Sequence, residues 1–362
     1  MSFSIPAYTA PDFSRPALKQ APNVRWVPAP AHGVAPDNYH ATTIFPEYFK
    51  ANGSWLLAKE SRMDCVAVLR QDQVEVVEFR RLKKGDLVAT GRSEDGRDGI
   101  YVHIDAFSAP DSQEEAFSFR QGRSRETAYA MDYDSIYDLL RYEKRNGFIT
   151  WVLGPACCFD WDARHAFAKL VKGGYVNALL AGNALATHDL EAGYRSTALG
   201  QDIYTQISQP GGHYNHIDTI NRVRKAGSIA QFVKEENIED GIMASCVQEN
   251  VPFVLAGSIR DDGPLPEVYA DVYQAQNAMR EQVKKSTTVI CLATTLHSIA
   301  TGNMTPSYRV LEDGTIRPVY FYSVDVSEFA VNKLRDRGSL AVKTIVTNVQ
   351  DFIVNVQRGL GL

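Results

Sequence analysis

Long apolar runs are absent from this chain of 362 residues. No stretch of about eighteen consecutive apolar residues occurs, so the sequence predicts no membrane-spanning helix and no membrane partner. Residues 1–20 contain neither a basic cluster nor an apolar core, so we expect no signal peptide and a cytoplasmic protein. The net charge of -5 leaves no basic excess, which argues against a nucleic-acid partner.

Cysteine is scarce, with five residues in the chain, and no pair has the C-x-x-C spacing. All five lie in or beside apolar runs, and their number is odd. Disulfide frameworks are typical of small secreted proteins, so we expect reduced, buried thiols here. The adjacent Cys157 and Cys158 fit a core position better than the role of a catalytic nucleophile.

Several motifs that carry chemistry are also missing. No G-x-G-x-x-G or G-x-S-x-G occurs, which excludes the standard dinucleotide-binding fingerprint and the nucleophile elbow. The spacing of His188 and Glu191 does not match the known zinc or iron patterns, and His213 and His216 have no third ligand beside them. We therefore expect no bound metal, and we expect a helix to begin near Asp218.

Three regions differ in composition. Residues 1–36 hold seven of the sixteen prolines, so this arm is expected to wrap the surface or a neighbouring subunit, with partial disorder as the alternative. Residues 37–130 contain short β-type runs and end in a polar linker over 110–130, which predicts a β-rich domain. Strand and helix patterns alternate through residues 131–362, which predicts an α/β domain. The expected fold is Rossmann-like, a parallel sheet with helices on both faces, without the glycine fingerprint.

Hydrophobic periodicity places the elements of the α/β domain. The expected strands cover 148–153, 175–180, 251–256, 288–293, 319–324 and 344–347. The expected helices cover 135–146, 163–171, 218–226, 228–234, 238–248, 268–283 and 327–334.

Polar groups follow four of these strands. In a parallel sheet such positions share one edge, and ligands of open α/β sheets bind there. They are Gly182-Asn183-Ala184, Arg260-Asp261-Asp262, Thr294-Thr295-Leu296-His297 and Asp325. Asp325 stands where a dinucleotide-binding fold places the acid for the ribose, although a helix cap is the alternative, as it is for Asp261 and Asp262. Phosphates would need the Gly182-Asn183 turn or the Thr294-Thr295 turn.

Longer motifs resemble one known family, the archaeal and cyanobacterial type of ornithine cyclodeaminase, also called the LOR/SDH conserved-region family. The resemblance covers roughly residues 36 to 350. It is carried by 39–43, 62–64, 83–86, 179–191, 224–229, 251–266, 294–303 and 333–339.

This resemblance implies an NAD-dependent enzyme that converts L-ornithine, or a close diamino acid, to L-proline or its homologue with loss of ammonia. It implies a small-molecule amino-acid substrate, and we expect a homo-oligomer. The implied NAD contacts are Asn183, Ala184, Asp262, Thr294, Thr295, Leu296, His297 and Asp325, with Thr347 and Asn348 nearby. Asn348 departs from the family, which usually has Asp there. The second departure is Cys157-Cys158-Phe159-Asp160-Trp161, where relatives carry a Val-Val-His-Thr-Gly type of sequence, and we expect this loop to shape the substrate pocket.

Such a reaction needs a cation for the α-carboxylate, and Arg62 and Arg260 are the candidates. It also needs a group that binds the side-chain ammonium or moves protons, for which the candidates are Asp64, Asp189 and Asp261. Lys84 is a candidate base if burial lowers its pKa. We expect the β-rich domain to close over the cofactor edge through Arg62 and Asp64; the alternative is a structural ion pair between these two.

Other functions fit the same sequence. A second enzyme hypothesis is net oxidation of an amino acid or aminoalkyl transfer on the same scaffold. A third hypothesis, from another class, is a nucleotide-binding sensor without turnover.

Overall fold

The computed structural model describes residues 3–107, 130–261, 264–327 and 340–362. Four predicted features lie outside the described residues. They are most of the polar linker, Asp262, nearly all of the helix expected at 327–334 and the whole 333–339 motif.

The first domain is built from short antiparallel strands. β1, β6, β4 and β5 form one sheet in that order, and β3, β2 and β7 form a second. Its elements are α1 (Pro16–Lys19), β1 (Arg25–Pro28), β2 (Glu47–Ala51), β3 (Ser54–Leu57), β4 (Val66–Arg70), β5 (Gln73–Val77), β6 (Leu87–Thr90) and β7 (Ile100–Val102).

The proline-rich arm lies against its own chain. Within its described residues the arm forms strand β1, which pairs with β6 at the edge of the sheet, a position where its Pro28 is tolerated. Phe13 stacks on Trp55 at 5.1 Å, and Phe3 packs against Tyr142 and Tyr320 of the second domain. The arm therefore contacts both domains.

The second domain alternates strands and helices. Its strands are β8 (Ile149–Leu153), β9 (Ala178–Gly182), β10 (Thr197–Ala198), β11 (Gln201–Asp202), β12 (Phe253–Ala256), β13 (Val268–Tyr269), β14 (Thr288–Leu292), β15 (Tyr308–Val310), β16 (Ile316–Pro318), β17 (Tyr320–Asp325) and β18 (Ala341–Val346). Its helices are α2 (Ala130–Asn146), α3 (Trp161–Lys172), α4 (Asn183–Arg195), α5 (His213–Ala226), α6 (Ile229–Glu235), α7 (Ile242–Gln248), α8 (Val272–Val283), α9 (Thr295–Met304) and α10 (Val349–Gly359).

Seven of these strands form one parallel sheet in the order β13-β12-β9-β8-β14-β17-β18. The chain starts at the central β8, moves outward through β9 and β12, and returns to the other side of β8 at β14. Without the short edge strand β13, this is the 3-2-1-4-5-6 order of dinucleotide-binding folds. The Rossmann-like prediction is therefore confirmed.

The main core lies between this sheet and the helices on one of its faces. Trp151 on β8 is fully buried, meets Phe167 of α3 edge to face at 5.4 Å, and donates from Nε1 to the backbone oxygen of Tyr175. A second apolar cluster joins β8 and β14 to α8 through Val152, Val289 and other residues. Apolar clusters thus lie on both faces, which is why the strands read as continuous apolar runs.

Several helices differ from the expectation. α4, α9 and α10 were not predicted, α5 begins at His213 rather than near Asp218, and α7 begins only after Gly241, whose φ is +107°. Val268 belongs to a strand rather than to the helix that follows it.

All five cysteines are free and buried, as expected. Among the described residues, no helix is both long and apolar enough to cross a membrane.

Candidate functional site

The carboxyl ends of the sheet strands form one level edge. Leu153 of β8 pairs with Ala181 of β9 on one side and with Leu292 of β14 on the other, and Leu292 pairs with Val324 of β17. The segments that follow β9, β12, β14 and β17 therefore emerge together. The chain reverses direction across the sheet at β8, and a ligand crevice opens at such a switch point.

Two glycines allow close contacts at this edge. A Cβ on Gly154, after β8, would lie 1.9 Å from the backbone oxygen of Ala293, which follows β14. A Cβ on Gly182, at the end of β9, would lie 3.1 Å from Cε1 of His297. His297 belongs to α9, so its ring reaches the β9 side of the switch point. Burial lowers the pKa of His297, and the nearby Asp261 carboxylate opposes that change.

The helices that start at this edge differ in how their first turns are capped. α3, α8 and α10 are capped by the side chains of Asp160, Asp271 and Asn348. α4 and α9 begin at Gly182 and Thr294, and neither has a side-chain cap. Backbone N–H groups of an uncapped first turn are donors for an anion, aided by the helix dipole. These two helix starts fit the phosphates of a dinucleotide.

Apolar side chains stand exposed beside these donors. They follow three strands of the edge and are Ile259, Leu296 and Val326. Apolar walls with a few polar groups between them are typical of sites for planar ligands.

The predicted cofactor residues occupy different positions on this edge. The Asn183 side chain is committed to the chain itself, because its Oδ1 accepts from the backbone N–H of Leu265 at 3.0 Å. Ala184 follows in the first turn of α4. Asp325 ends β17, where its Oδ1 accepts from the backbone N–H of Ser327 at 2.8 Å. The backbone oxygen of Asp325 accepts from the backbone N–H of Thr347 at 3.1 Å.

The strand order shows that Asp325 does not occupy the usual position of the ribose-binding acid. In the 3-2-1-4-5-6 order, the acid that binds the ribose follows the second strand. That strand is β9, where an amide, Asn183, stands. Asp325 instead follows the fifth strand, β17, on the other side of the switch point. Asn348 caps α10, accepting from the backbone N–H of Gln350 at 2.8 Å.

The catalytic candidates separate into two groups. Arg260 and Asp261 lie at the edge: Arg260 is exposed, and Asp261 accepts from the backbone N–H of Ser258 at 2.7 Å. Asp189 does not fit a role in proton transfer. It is buried, and its carboxylate accepts from Arg164 Nε at 2.7 Å and from the backbone N–H groups of Ile242 and Met243. Asp189 is therefore better explained as a structural residue that joins three helices.

Arg62 lies in the interface between the domains. Its Nη1 donates to Glu78 at 3.0 Å and to the backbone oxygen of Asn303 at 3.4 Å. Asn303 is in the last turn of α9, about 12 Å along the helix from Thr295. Arg280 of α8 also donates to Glu78, at 2.6 Å. The expectation that Arg62 reaches the cofactor edge stays a prediction, and in this structure its contacts with Glu78 and Asn303 place the guanidinium against the far end of α9.

The other candidates of the first domain are exposed. Asp64 has a φ of +63° and faces solvent, and it does not pair with Arg62, whose carboxylate partner is Glu78. Lys84 is exposed in the turn before Asp86, so it lacks the burial that its expected role as a base requires.

The Cys157–Trp161 segment has mainly structural contacts. Pro155–Cys158 form one 3-10 turn, and both cysteines are fully buried, which raises the pKa of each thiol. Asp160 caps α3, because its carboxylate accepts from the backbone N–H of Ala163 at 2.8 Å. This carboxylate is therefore engaged by the helix rather than free to bind a cationic substrate. Trp161 packs against His165 of its own helix. Two rings of the segment also face other elements: that of Trp161 lies 6.4 Å from the ring of Tyr204, and that of Phe159 lies 5.1 Å from the ring of His188.

One polar cluster was missed by the sequence analysis. His188 and Glu191 share a face of α4, and α5 brings His216 to the same carboxylate. The i, i+3 spacing of the first two residues was a signal, but the position of His216 depends on the fold of residues 196–212.

Comparison with known proteins identifies the family. Family models described as "Arginine dihydrolase ArgZ-like, C-terminal", first region and Rossmann fold, match residues 46–128 and 135–356. The ornithine cyclodeaminase of Methanocaldococcus jannaschii is 38% identical over 347 residues, covering 93% of this chain and 77% of that protein.

Solved structures agree with this result. A conserved LOR/SDH protein from Methanococcus maripaludis S2 is 36% identical with a TM-score of 0.84, covering 94% of this chain and 98% of that one. A ternary complex of AgrE with ornithine and NAD+ is 31% identical with a TM-score of 0.60, covering 94% of this chain but 46% of AgrE. The chain therefore belongs to the ArgZ-like C-terminal family, together with the archaeal ornithine cyclodeaminases.

Proposed function

We propose that this protein converts L-ornithine, or a close diamino acid, to L-proline or its homologue and ammonia, using NAD. The observation that carries the proposal is the AgrE complex with ornithine and NAD+, which aligns with 94% of this chain. The uncapped starts of α4 and α9 at the switch point support it independently, since they match the donors that a pyrophosphate needs. We propose residues 131–362 as the NAD-binding domain and the cytoplasm as its location.

NAD would be held by residues of the carboxyl edge. The N–H groups at Asn183, Ala184, Thr295 and Leu296 would bind the phosphates, and the Asp325 carboxylate would accept from ribose hydroxyls on the β17 side of the switch point. The exposed Leu296 side chain offers an apolar surface for a ring. When bound, NAD+ supplies reversible oxidation at the carbon that carries the α-amino group, so the overall reaction has no net redox change.

Residues beside this site would bind and deprotonate the substrate. The α-ammonium must lose a proton before its carbon can be oxidised. His297 is suited to accept it, because burial lowers the pKa of the imidazole and keeps it neutral at pH 7. Asp261 would stabilise the imidazolium that results. The exposed Arg260 would bind the α-carboxylate as its fork of donors permits.

A panel of amino acids with NAD+ tests this function, with ammonia, proline and NADH absorbance measured together. Ammonia and proline without lasting NADH are expected from ornithine. A steady rise in NADH would instead identify net oxidation, and NAD binding without any product would identify a binding protein. His297→Gln should lower kcat/KM by at least about a hundredfold. His32→Gln, at an exposed histidine of the first domain, is the matched control.

A further inference from the structure

His188, Glu191 and His216 converge beside the carboxyl edge. His188 and Glu191 are one turn apart on α4, and His216 comes from α5. One ligand atom from each of the three lies within 4.8 Å of the others. The Phe159 ring packs against His188, so the cluster adjoins the turn that follows β8.

The distances in the cluster are long for hydrogen bonds. Glu191 Oε2 lies 3.4 Å from His188 Nδ1 and 3.7 Å from His216 Nδ1. Direct N–H···O bonds are mostly 2.7–3.2 Å, roughly. Two ligand atoms at about 2.1 Å from one tetrahedral metal are about 3.4 Å apart. The spacing therefore fits ligands around an ion better than a direct hydrogen bond.

His216 supplies an independent observation. Its Nδ1 is buried and has no hydrogen-bond partner within the described part of the chain. A buried polar atom without a partner is uncommon in native proteins and requires an explanation. The unpaired nitrogen points to a ligand that the protein atoms do not provide.

The Glu191 carboxylate is fixed in orientation by its neighbours. Oε1 accepts from the Thr197 hydroxyl at 2.8 Å and from the backbone N–H of Gly200 at 3.0 Å. Oε2 accepts the backbone N–H of Leu199 at 3.1 Å and has a second lone pair for the imidazoles. Asn215 Nδ2 in turn donates to the Thr197 hydroxyl at 3.1 Å. Such outer hydrogen bonds are the means by which proteins orient metal ligands.

We propose that His188 Nδ1, Glu191 Oε2 and His216 Nδ1 bind one divalent transition metal ion, with zinc as the best match. Two imidazoles and one monodentate carboxylate form a three-ligand set that leaves a fourth position for water or another ligand. The ion joins α4, the β10–β11 turn and α5 next to the proposed substrate region. This inference replaces the expectation of a protein without metal, and it does not depend on the proposed function.

Cobalt binding tests the site, because tetrahedral Co²⁺ absorbs visible light and reports its own coordination. The full chain, freed of any histidine tag and treated with EDTA, is titrated with CoCl₂. We expect one Co²⁺ per chain with tetrahedral absorption, which ZnCl₂ abolishes by displacement. His216→Ala should weaken Co²⁺ binding at least about tenfold. The matched control is His213→Ala, one turn earlier on the exposed side of α5, and it should bind as the parent does.

Thermal unfolding provides a second measurement. ZnCl₂ should raise the Tm of the parent and of His213→Ala, and leave that of His216→Ala unchanged, because an ion that binds only the folded state stabilises it. His216 is partly exposed at the surface, so its replacement leaves the core intact. Co²⁺ binding that is not stoichiometric, or that is equal in the parent and His216→Ala, overturns the proposal.

Discussion

Gly182 and His297 are in contact across the switch point of the sheet, since a Cβ on Gly182 would lie 3.1 Å from Cε1 of the imidazole. They are far apart in sequence and belong to different βα units, and β8 lies between their strands. This contact fixes the ring of His297 over the carboxyl edge. It also makes the absence of a side chain at residue 182 a requirement of the site.

Gly182→Ala should therefore impair the site rather than the fold. Gly182 has a φ of -98°, which alanine adopts without strain, so the new methyl group acts mainly by displacing His297. We expect kcat/KM for ornithine to fall at least about tenfold, in line with the cost of misplacing a catalytic group. The Tm should change by only a few degrees, roughly.

A double-mutant cycle tests the origin of this effect. In a His297→Ala background the ring is gone, so adding Gly182→Ala should cost little more. Independent, additive losses in the two single variants would show that the glycine acts through something other than His297.

His297 should also make stability depend on pH. Burial holds its folded-state pKa below the ordinary value of 6.5, so the unfolded chain binds more protons near pH 6 than the folded chain does. The free energy of unfolding should therefore decrease as pH falls below 6.5, until the folded pKa is reached. Above that range the histidine is neutral in both states and contributes no pH dependence.

Urea unfolding at several pH values between about 5 and 8 measures this dependence. His297→Asn removes the titrating group and should flatten the curve. His32→Asn, at an exposed position, should leave it unchanged. If the parent and His297→Asn have the same slope, protonation of His297 is not penalised in the folded state.

Asp189→Asn should destabilise the protein. The substitution leaves the buried Arg164 with Asp240 as its remaining carboxylate partner and turns an amide toward the α7 N–H groups. Breaking a buried ion pair by changing one partner costs about 3–5 kcal/mol. Asp160→Ala, which removes only the cap of α3, should cost about 1 kcal/mol. Equal losses in the two variants, measured by urea unfolding, would contradict the structural role of Asp189.

Arg62→Ala is expected to act on the domain interface. It removes the contacts with Glu78 and Asn303, so the Tm should fall by several degrees, roughly, for a loss of a paired buried charge. KM for ornithine should stay within about twofold of the parent value, because Arg62 is remote from the edge. A large rise in KM at an unchanged Tm would restore Arg62 as a substrate-binding residue. Arg97→Ala, at an exposed ion pair, is the control.

The sequence was sufficient to predict six strands of the sheet, but not its edge strand β13 or all of the helices. The strands are buried on both faces and read as apolar runs. α4 escaped prediction because it is buried on nearly all sides, including at His188 and Glu191, so it lacks a polar face with helical periodicity. α10 did carry that signal, in Val349, Phe352, Ile353 and Val356, and it was overlooked.

The candidate site was predictable only where it follows strand ends. The shared edge of Asn183, His297 and Asp325 follows from parallel strands alone. The docking of Arg62 onto Glu78 depends on how two domains meet, which local patterns do not encode. The same holds for His216, which meets Glu191 through a turn of irregular backbone.

Asp325 provides the last test, that of cofactor selectivity. The end of β9 carries Asn183, whose Oδ1 is already used by Leu265, so ribose hydroxyls need a carboxylate elsewhere on the edge. Asp325 is the candidate, and a 2′-phosphate beside it would be repelled. We expect NAD+ to bind at least about tenfold more tightly than NADP+, and Asp325→Asn to weaken NAD+ binding and reduce this preference. Asp313→Asn, in an exposed turn, should change neither affinity. Equal affinities of the parent for the two cofactors, measured by calorimetry, would mean that Asp325 does not contact the adenosine ribose.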